Sequence, residues 1–228
     1  MPDDGNYVLE PEAVCLLEQY RIPYPDHGVA YDAEEAARMA EELGCPVVLK
    51  VVSPDVPHKS DVGGVLVGLK SASEVRQGFA TIVERVTSNA PQARIEGVLI
   101  CKQASSGLEV IVGALEDVTF GPTVMFGLGG IFAEVLRDVS FRVAPLSRRD
   151  AGEMIREIRG YPLLTGARGQ APRDMEALAD LLLSVSHLVM ECGNIEELDL
   201  NPVRLFEQGL LVLDARMVVK QGDDHRSI

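Results

Sequence analysis

The sequence predicts an α+β protein built as two lobes with a cleft between them. Strand and helix patterns alternate through the N-terminal part of the chain, while paired β runs dominate the middle and the end, a mixture that fits two lobes better than one parallel sheet. No internal repeat, low-complexity tract or long linker interrupts it. The smaller lobe is expected over 22–103 and the larger over 1–21 and 104–220, with 221–228 as a frayed, flexible tail.

A first helix starts near Pro11, a residue suited to a first turn, and carries Val14, Leu16 and Leu17 inward until RIPYPDHG breaks it. A short strand over 29–31 follows. Asp32 caps the next helix with Glu35 as its box partner, and AEEAARMAEELG ends at Gly44. PVVLKVV and GGVLVGLK are strands. Ser71 and Glu74 open a helix whose Val75, Phe79, Ile82, Val83 and Val86 share one face. EGVLICKQ and LEVIVGAL, joined by the turn residues ASSG, read as a hairpin, and PTVMFGLGG as a strand entering a glycine loop. SRRDAGEMIREIRG is an amphipathic helix closed by Gly160. PRDMEALADLLLSVSHLVME is a longer one with Leu178, Leu181, Leu182, Val185 and Val189 inward. ELDLNPVRLF and LLVLDARMVV flank EQG and should pair antiparallel.

Composition bounds what such a chain can do. Its 228 residues are 46% hydrophobic and 25% charged, enough for a sizeable core and unlike a disordered chain. No apolar run approaches the ~20 residues of a membrane span, and MPDDGNYVLEPEA lacks the apolar core of a signal peptide, so the expected compartment is the cytoplasm, with no membrane partner. A formal net charge of -14 argues against general affinity for nucleic acid. Cationic side chains gathered in so acidic a protein would serve a particular anion. Cys15, Cys45, Cys101 and Cys192 lie far apart with no CxxC pair, and are read as reduced, mostly buried thiols.

The stretch VVLKVVSPDVPHKSDVGGVLVGLK carries the chemistry. Val47, Val48, Leu49, Val51 and Val52 mark a strand buried on both faces, where Lys50 needs either a counter-anion or an exit to solvent. On that strand alone, a functional ammonium and a snorkelling lysine stand level. The following loop favours function: Gly63 and Gly64, with Lys59 and Ser60 nearby, can bring backbone N–H groups close to phosphate oxygens, although two glycines by themselves mark only a turn. His58, beside Lys59 and near Asp61, has a ring nitrogen able to accept a phosphoryl group, a role most loop histidines lack. His27, His187 and His225 are read as ordinary surface or core residues.

A second constellation lies near the C-terminus. If the last two strands pair around EQG, Asp199 and Asn201 share a face and Asp214 comes alongside, giving hard oxygen ligands suited to Mg²⁺; the plainer reading is a polar face in water. In VLICK, Ile100, Cys101 and Lys102 could line an adenine slot with backbone amides and a cation, and Glu109 could take ribose hydroxyls or metal. MFGLGGIFAEVLRDVSFR joins a glycine loop to Glu134 and Arg142, but it is not GxGxxG, and no GxxxxGK[ST] loop occurs.

In order, IPYPDHGVA, AEEAARMAEELGCPVVLKVVSPDVPHKSDVGGV, GVLICKQASSGLEVIVG, FGPTVMFGLGGIFAEVLRDVSFRVAPL and ELDLNPVRLFEQGLLVLDAR resemble the β subunit of ADP-forming acetyl-CoA synthetases (acetate–CoA ligases) over nearly the whole chain. The resemblance implies an ATP-grasp fold, in which two α+β lobes hold ATP or ADP between them. It implies that Lys50 is the nucleotide-phosphate lysine and that His58 carries a phosphoryl group. Asn201 and Asp214 match magnesium-holding positions of the related succinyl-CoA synthetases, and Asp199 matches an acidic residue that orients a phosphohistidine there. The implied reaction is acyl-CoA + ADP + phosphate ⇌ carboxylic acid + CoA + ATP, with Lys50, Lys102, Arg142 and Mg²⁺ neutralising charge. The chain has no CoA-binding domain of its own, so a CoA-binding α subunit is implied, in an α2β2 heterotetramer. Two other readings stay open: an ATP-grasp ligase joining a carboxylate to an amine, which needs no phosphohistidine, and a regulatory nucleotide-binding subunit without turnover.

Overall fold

The structure, a computed structural model, describes residues 6–130, 138–169 and 171–220. Strand β1 (Asn6–Val8) and helix α1 (Glu10–Gln19) lead the chain. Two compact units follow from the contacts: a small one, Leu9–Pro11 with Pro25–Ser105, and a large one built from the chain before Leu9, Glu12–Tyr24 and everything from Ser106 onward. The first turn of α1 thus groups with the small unit and the rest of that helix with the large one.

The small unit contains β2 (His27–Ala30), α2 (Ala33–Leu43), β3 (Val47–Val52), β4 (Val65–Leu69), α3 (Ala72–Asn89) and β5 (Gly97–Lys102). Its strands lie in the order β2-β5-β3-β4, all antiparallel. Both helices start where a side chain takes up orphan N–H groups. The Asp32 carboxylate accepts from Glu34 and Glu35 N–H at 2.9 and 2.8 Å, and Ser71 Oγ from Glu74 N–H at 3.2 Å. The box glutamates reach one residue further back than expected, Glu35 to Tyr31 N–H and Glu74 to Lys70 N–H. Ala36, Ala40, Val75, Ile82 and Val86 pack on Val47, Leu49, Val51, Val98 and Ile100. Strand alternation therefore turns Lys50 to the opposite face, beside Leu99 of β5.

The large unit adds β6 (Leu108–Asp117), β7 (Gly121–Leu128), β8 (Val139–Val143), α4 (Arg148–Glu157), α5 (Tyr161–Leu164), α6 (Met175–Glu191), β9 (Ile195–Leu205), β10 (Leu210–Val212) and β11 (Ala215–Val219). Its sheet runs β1-β11-β9-β6-β7-β8, with β10 also on β9. The helices cover one face: Met154, Leu178, Leu182 and Val185 pack against Val112, Phe126, Leu198 and Val203. The other face carries Ile111, Gly113, Glu197 and Asp199, by alternation.

Several expectations are corrected. The runs EGVLICKQ and LEVIVGAL do not form a hairpin: β5 lies between β2 and β3, whereas β6 lies between β7 and β9. Local alternation and turn residues mark where a strand ends and leave its neighbour undetermined. The thiols are not mostly buried, since Cys15 and Cys45 are exposed, Cys192 is half-buried and Cys101 alone is buried. Cys15 falls outside the inward stripe of Ala13, Leu16 and Leu17 on α1. Helix α4 stops at Glu157, and Gly160 instead precedes α5. The last β run breaks at Leu213 and Asp214 into β10 and β11, both antiparallel to β9. Among the described residues no helix is long and apolar enough to cross a membrane. Glu134 and the tail 221–228 lie outside the described residues.

Candidate functional site

The small unit holds the first constellation. Lys50 is 6% exposed, and its Nζ lies 2.6 Å from Oε1 of Glu10, which is 5% exposed. Lys59 Nζ lies 3.1 Å from the other oxygen, Oε2. One carboxylate at the start of α1 therefore holds both predicted phosphate lysines, and of the two options for Lys50 it is the counter-anion, not the exit to solvent, that the fold uses. Glu10 escaped the sequence reasoning because its partners lie 40 and more positions away, where no spacing rule reaches. The one local signal was an acidic residue entering an apolar helix.

The loop from Ser53 to Gly64 places Lys59. Gly64 N–H donates to the Lys59 carbonyl at 2.7 Å, and its own carbonyl accepts from Val51 N–H at 2.8 Å. A Cβ on Gly64 would sit 2.5 Å from Val51 Cγ1 and 3.0 Å from the Lys59 oxygen, so only glycine fits. Gly63 adopts φ +73° and donates its N–H to the Ser60 carbonyl at 3.1 Å. Both glycine N–H groups are thus spent inside the loop. Close packing on Val51 of β3 requires glycine at 64 and the left-handed backbone favours it at 63, in place of the expected presentation of N–H groups to phosphate. His58, one residue before Lys59, is exposed.

The large unit holds the second constellation. Asp199 of β9 lies opposite Arg216 of β11, and Asn201 N–H donates to the Asp214 carbonyl at 3.1 Å, so the break between β10 and β11 brings Asp214 alongside. Asp199 and Asn201 line a hollow of about 710 Å³ on the open face of the sheet, together with Tyr7, Glu197 and Arg216. Arg216 Nη2 donates to Tyr7 Oη at 2.9 Å. Burial first, then the negative charges of Glu197 and Asp214, push the Asp199 carboxyl above the usual carboxylate range, against the pull of Arg216 and a hydrogen bond with Asn201. Among the described residues no three His, Cys, Asp or Glu side chains form a ready-made metal cluster. Two carboxylates and an amide, completed by water and phosphate oxygens, are nevertheless a donor set that fits Mg²⁺.

The remaining candidates are dispersed. Ile100 is buried in the helix-facing core and Cys101 is 3% exposed; both sit on the central strand β5, so their main-chain groups belong to the ladder and are not open to a base. Lys102, exposed at the end of that strand, donates its N–H to Asp26 O at 2.8 Å. Glu109 pairs with Arg204, and Arg142 lies 2.8 Å from Glu157, so each has an ion pair of its own in the large unit.

Residues 2–219 match the family model described as an ATP-grasp domain. The β subunit of the ADP-forming acetate–CoA ligase I of Pyrococcus furiosus is 49% identical over 95% of this chain and 93% of its own length. This chain belongs to the ATP-grasp family of ADP-forming acetate–CoA ligase β subunits. A longer ATP-grasp relative, the ADP-forming acetate–CoA ligase I of Archaeoglobus fulgidus, is also 49% identical over 95% of this chain, which spans only 32% of that protein. The dinucleotide-forming acetyl-coenzyme A synthetase 1 of Ca. Korarchaeum cryptofilum superposes on this ATP-grasp chain with a TM-score of 0.92 at 50% identity, covering 94% of each chain, in a complex with coenzyme A and Ca-AMPCP. The same enzyme with coenzyme A and Mg-AMPPCP, its phosphohistidine segment pointing towards the nucleotide-binding site, gives 0.83 at 46% identity, covering 94% and 93%.

Proposed function

We propose that this chain is the nucleotide-binding β subunit of an ADP-forming acyl-CoA synthetase, acting on acetyl-CoA and similar thioesters and moving a phosphoryl group between a histidine and ADP. The observation that carries this is the convergence of Lys50 and Lys59 on one buried carboxylate, one residue from an exposed histidine. Two ammoniums kept in register in a buried place are what an approaching polyphosphate needs, since ion pairs are stronger away from water.

In this reading His58 works from its accessible loop. A ring nitrogen attacks the phosphorus of a phosphohistidine on the partner; the new N–P bond forms as the old one breaks, and the partner imidazole leaves with the electron pair. A terminal oxygen of ADP then attacks the same phosphorus, His58 leaves, and ATP results. Lys50 and Lys59 neutralise phosphate oxygens during the second transfer, and catalysis is alignment and charge neutralisation. Asp199 orients a histidine that carries the phosphoryl group. Asn201 and Asp214 are the residues that would hold Mg²⁺, which when bound neutralises phosphate charge. The thioester, acid and CoA belong to a CoA-binding α partner. The longer relative, of which this chain spans a third, supports such a partner, and α2β2 is the proposed stoichiometry.

The test is His58→Ala, mixed with the α partner and supplied with acetyl-CoA, ADP and phosphate. ATP formation is expected to vanish while ADP affinity is retained. Unchanged turnover would remove the histidine from the relay and favour direct transfer to nucleotide.

A further inference from the structure

The lysines assigned to phosphate are held by an anion of the chain itself. Glu10 directs Oε1 at Lys50 and Oε2 at Lys59, 2.6 and 3.1 Å away, and its side chain is only 2% exposed. The two oxygens of a carboxylate have nearly the spacing of two oxygens on a phosphate, so Glu10 makes toward these ammoniums the contacts that a phosphate group would make. The arrangement is not a loose surface pair: β3 fixes Lys50, the Gly64 contact with Val51 fixes the backbone of Lys59, and Glu10 is the first residue of α1.

We propose that Glu10 is a place-holding anion of the nucleotide-phosphate site. It holds the Lys50 and Lys59 ammoniums in register before nucleotide arrives, and yields at least one of its two contacts to a phosphate oxygen on binding. This rests on the reading of Lys50 and Lys59 as phosphate lysines.

Two physical consequences make the device useful. Burying an ammonium without an anion is costly, so the carboxylate keeps both lysine side chains where the phosphate will need them. Competition between carboxylate and phosphate also weakens nucleotide affinity, and a chain that returns Glu10 to the lysines as ATP departs releases its product faster. Removing the negative charge should therefore act with opposite signs, destabilising the free chain and strengthening anion binding.

The experiment uses the full chain and Mg²⁺-free ADP, which leaves the metal ligands out of the measurement. Thermal melting with and without ADP, and calorimetric titration, are run on wild type, Glu10→Gln and Glu10→Asp. Glu10→Gln is expected to melt lower than wild type without ADP, to bind ADP about tenfold more tightly and to show the larger ADP-induced rise in melting temperature. Glu10→Asp, whose shorter carboxylate reaches one lysine better than two, should fall between. If wild type binds ADP but Glu10→Gln binds it equally or more weakly, Glu10 is structural and the place-holder idea fails, while the phosphate reading stands. If wild type fails to bind ADP, both fail. Should Glu10→Gln not fold, hydrogen exchange on wild type decides: ADP is expected to speed exchange across 9–16 while slowing it across 47–66. Protection of both segments would overturn the proposal.

Discussion

At Lys50 the sheet carries an ammonium that the surrounding aliphatic residues cannot solvate, and Glu10 makes it tolerable. Replacing it by methionine keeps most of the packing and deletes one charge-assisted contact, so K50M is expected to bind ADP roughly 10- to 100-fold more weakly, the equivalent of about 1.5–3 kcal/mol. Calorimetric titration checks this. Asp199 acts in the other direction on stability. Its carboxyl lies above the usual range in the folded chain because of burial, Glu197 and Asp214. Such a group favours the fold below its unfolded-state pKa and loses that favour as pH rises through the folded value, so at neutral pH its charge opposes folding. D199N is therefore expected to raise the melting temperature at pH 7 in metal-free buffer, with the gain shrinking as pH falls towards the ordinary carboxylate range, while ATP formation is lost. No gain at pH 7 would contradict the assignment of strain to this side chain. Among single residues, Lys50 stands out in the sequence because it breaks an apolar strand, and Asp199 because alternation gathers it with Asn201 on one face. Glu10 offers only an acidic residue at a helix start, since its meaning comes from partners brought to it by tertiary structure.

The elements hold these side chains in place. Asp174 caps α6 by accepting from Ala177 N–H at 2.9 Å, and its second oxygen accepts from Gly209 N–H at 2.8 Å in the turn before β10. Those backbone hydrogen bonds hold its carboxyl below the usual range, so its contribution is present above the unfolded-state pKa and lost as pH falls through the folded one. D174A is expected to cost about 1 kcal/mol at neutral pH, read by urea denaturation, and progressively less on acidification. In the small unit, G64A would force a methyl into Val51 and the Lys59 carbonyl, an overpacking cost of about 1–3 kcal/mol that should also displace Lys59 and weaken ADP binding. Helices were legible because caps such as Asp32 and Ser71 are local chemistry with fixed spacing. Strand neighbours were not: QASSG resembles a hairpin turn, yet it carries the chain from one sheet to another, and nothing within β5 or β6 encodes which edge each will meet. For the same reason the adenine slot expected at Ile100 and Cys101 could not be judged without knowing that β5 is central.

Across the whole molecule, an acidic chain of net charge -14 builds two units, each with its own hydrophobic core, and gathers two lysines in one of them. The chain alone is expected to bind ADP yet form no ATP from acetyl-CoA, ADP and phosphate, and to gain that activity when its CoA-binding partner is added. The central claim is that a phosphoryl group rests on this chain between partner and nucleotide. Intact-mass analysis of the complex after brief exposure to acetyl-CoA and phosphate, with ADP withheld, tests it most directly. One acid-labile phosphoryl group is expected on this chain, discharged by added ADP and absent from H58A. A chain that stays unmodified while its partner is phosphorylated, or a label that persists in H58A, would contradict it.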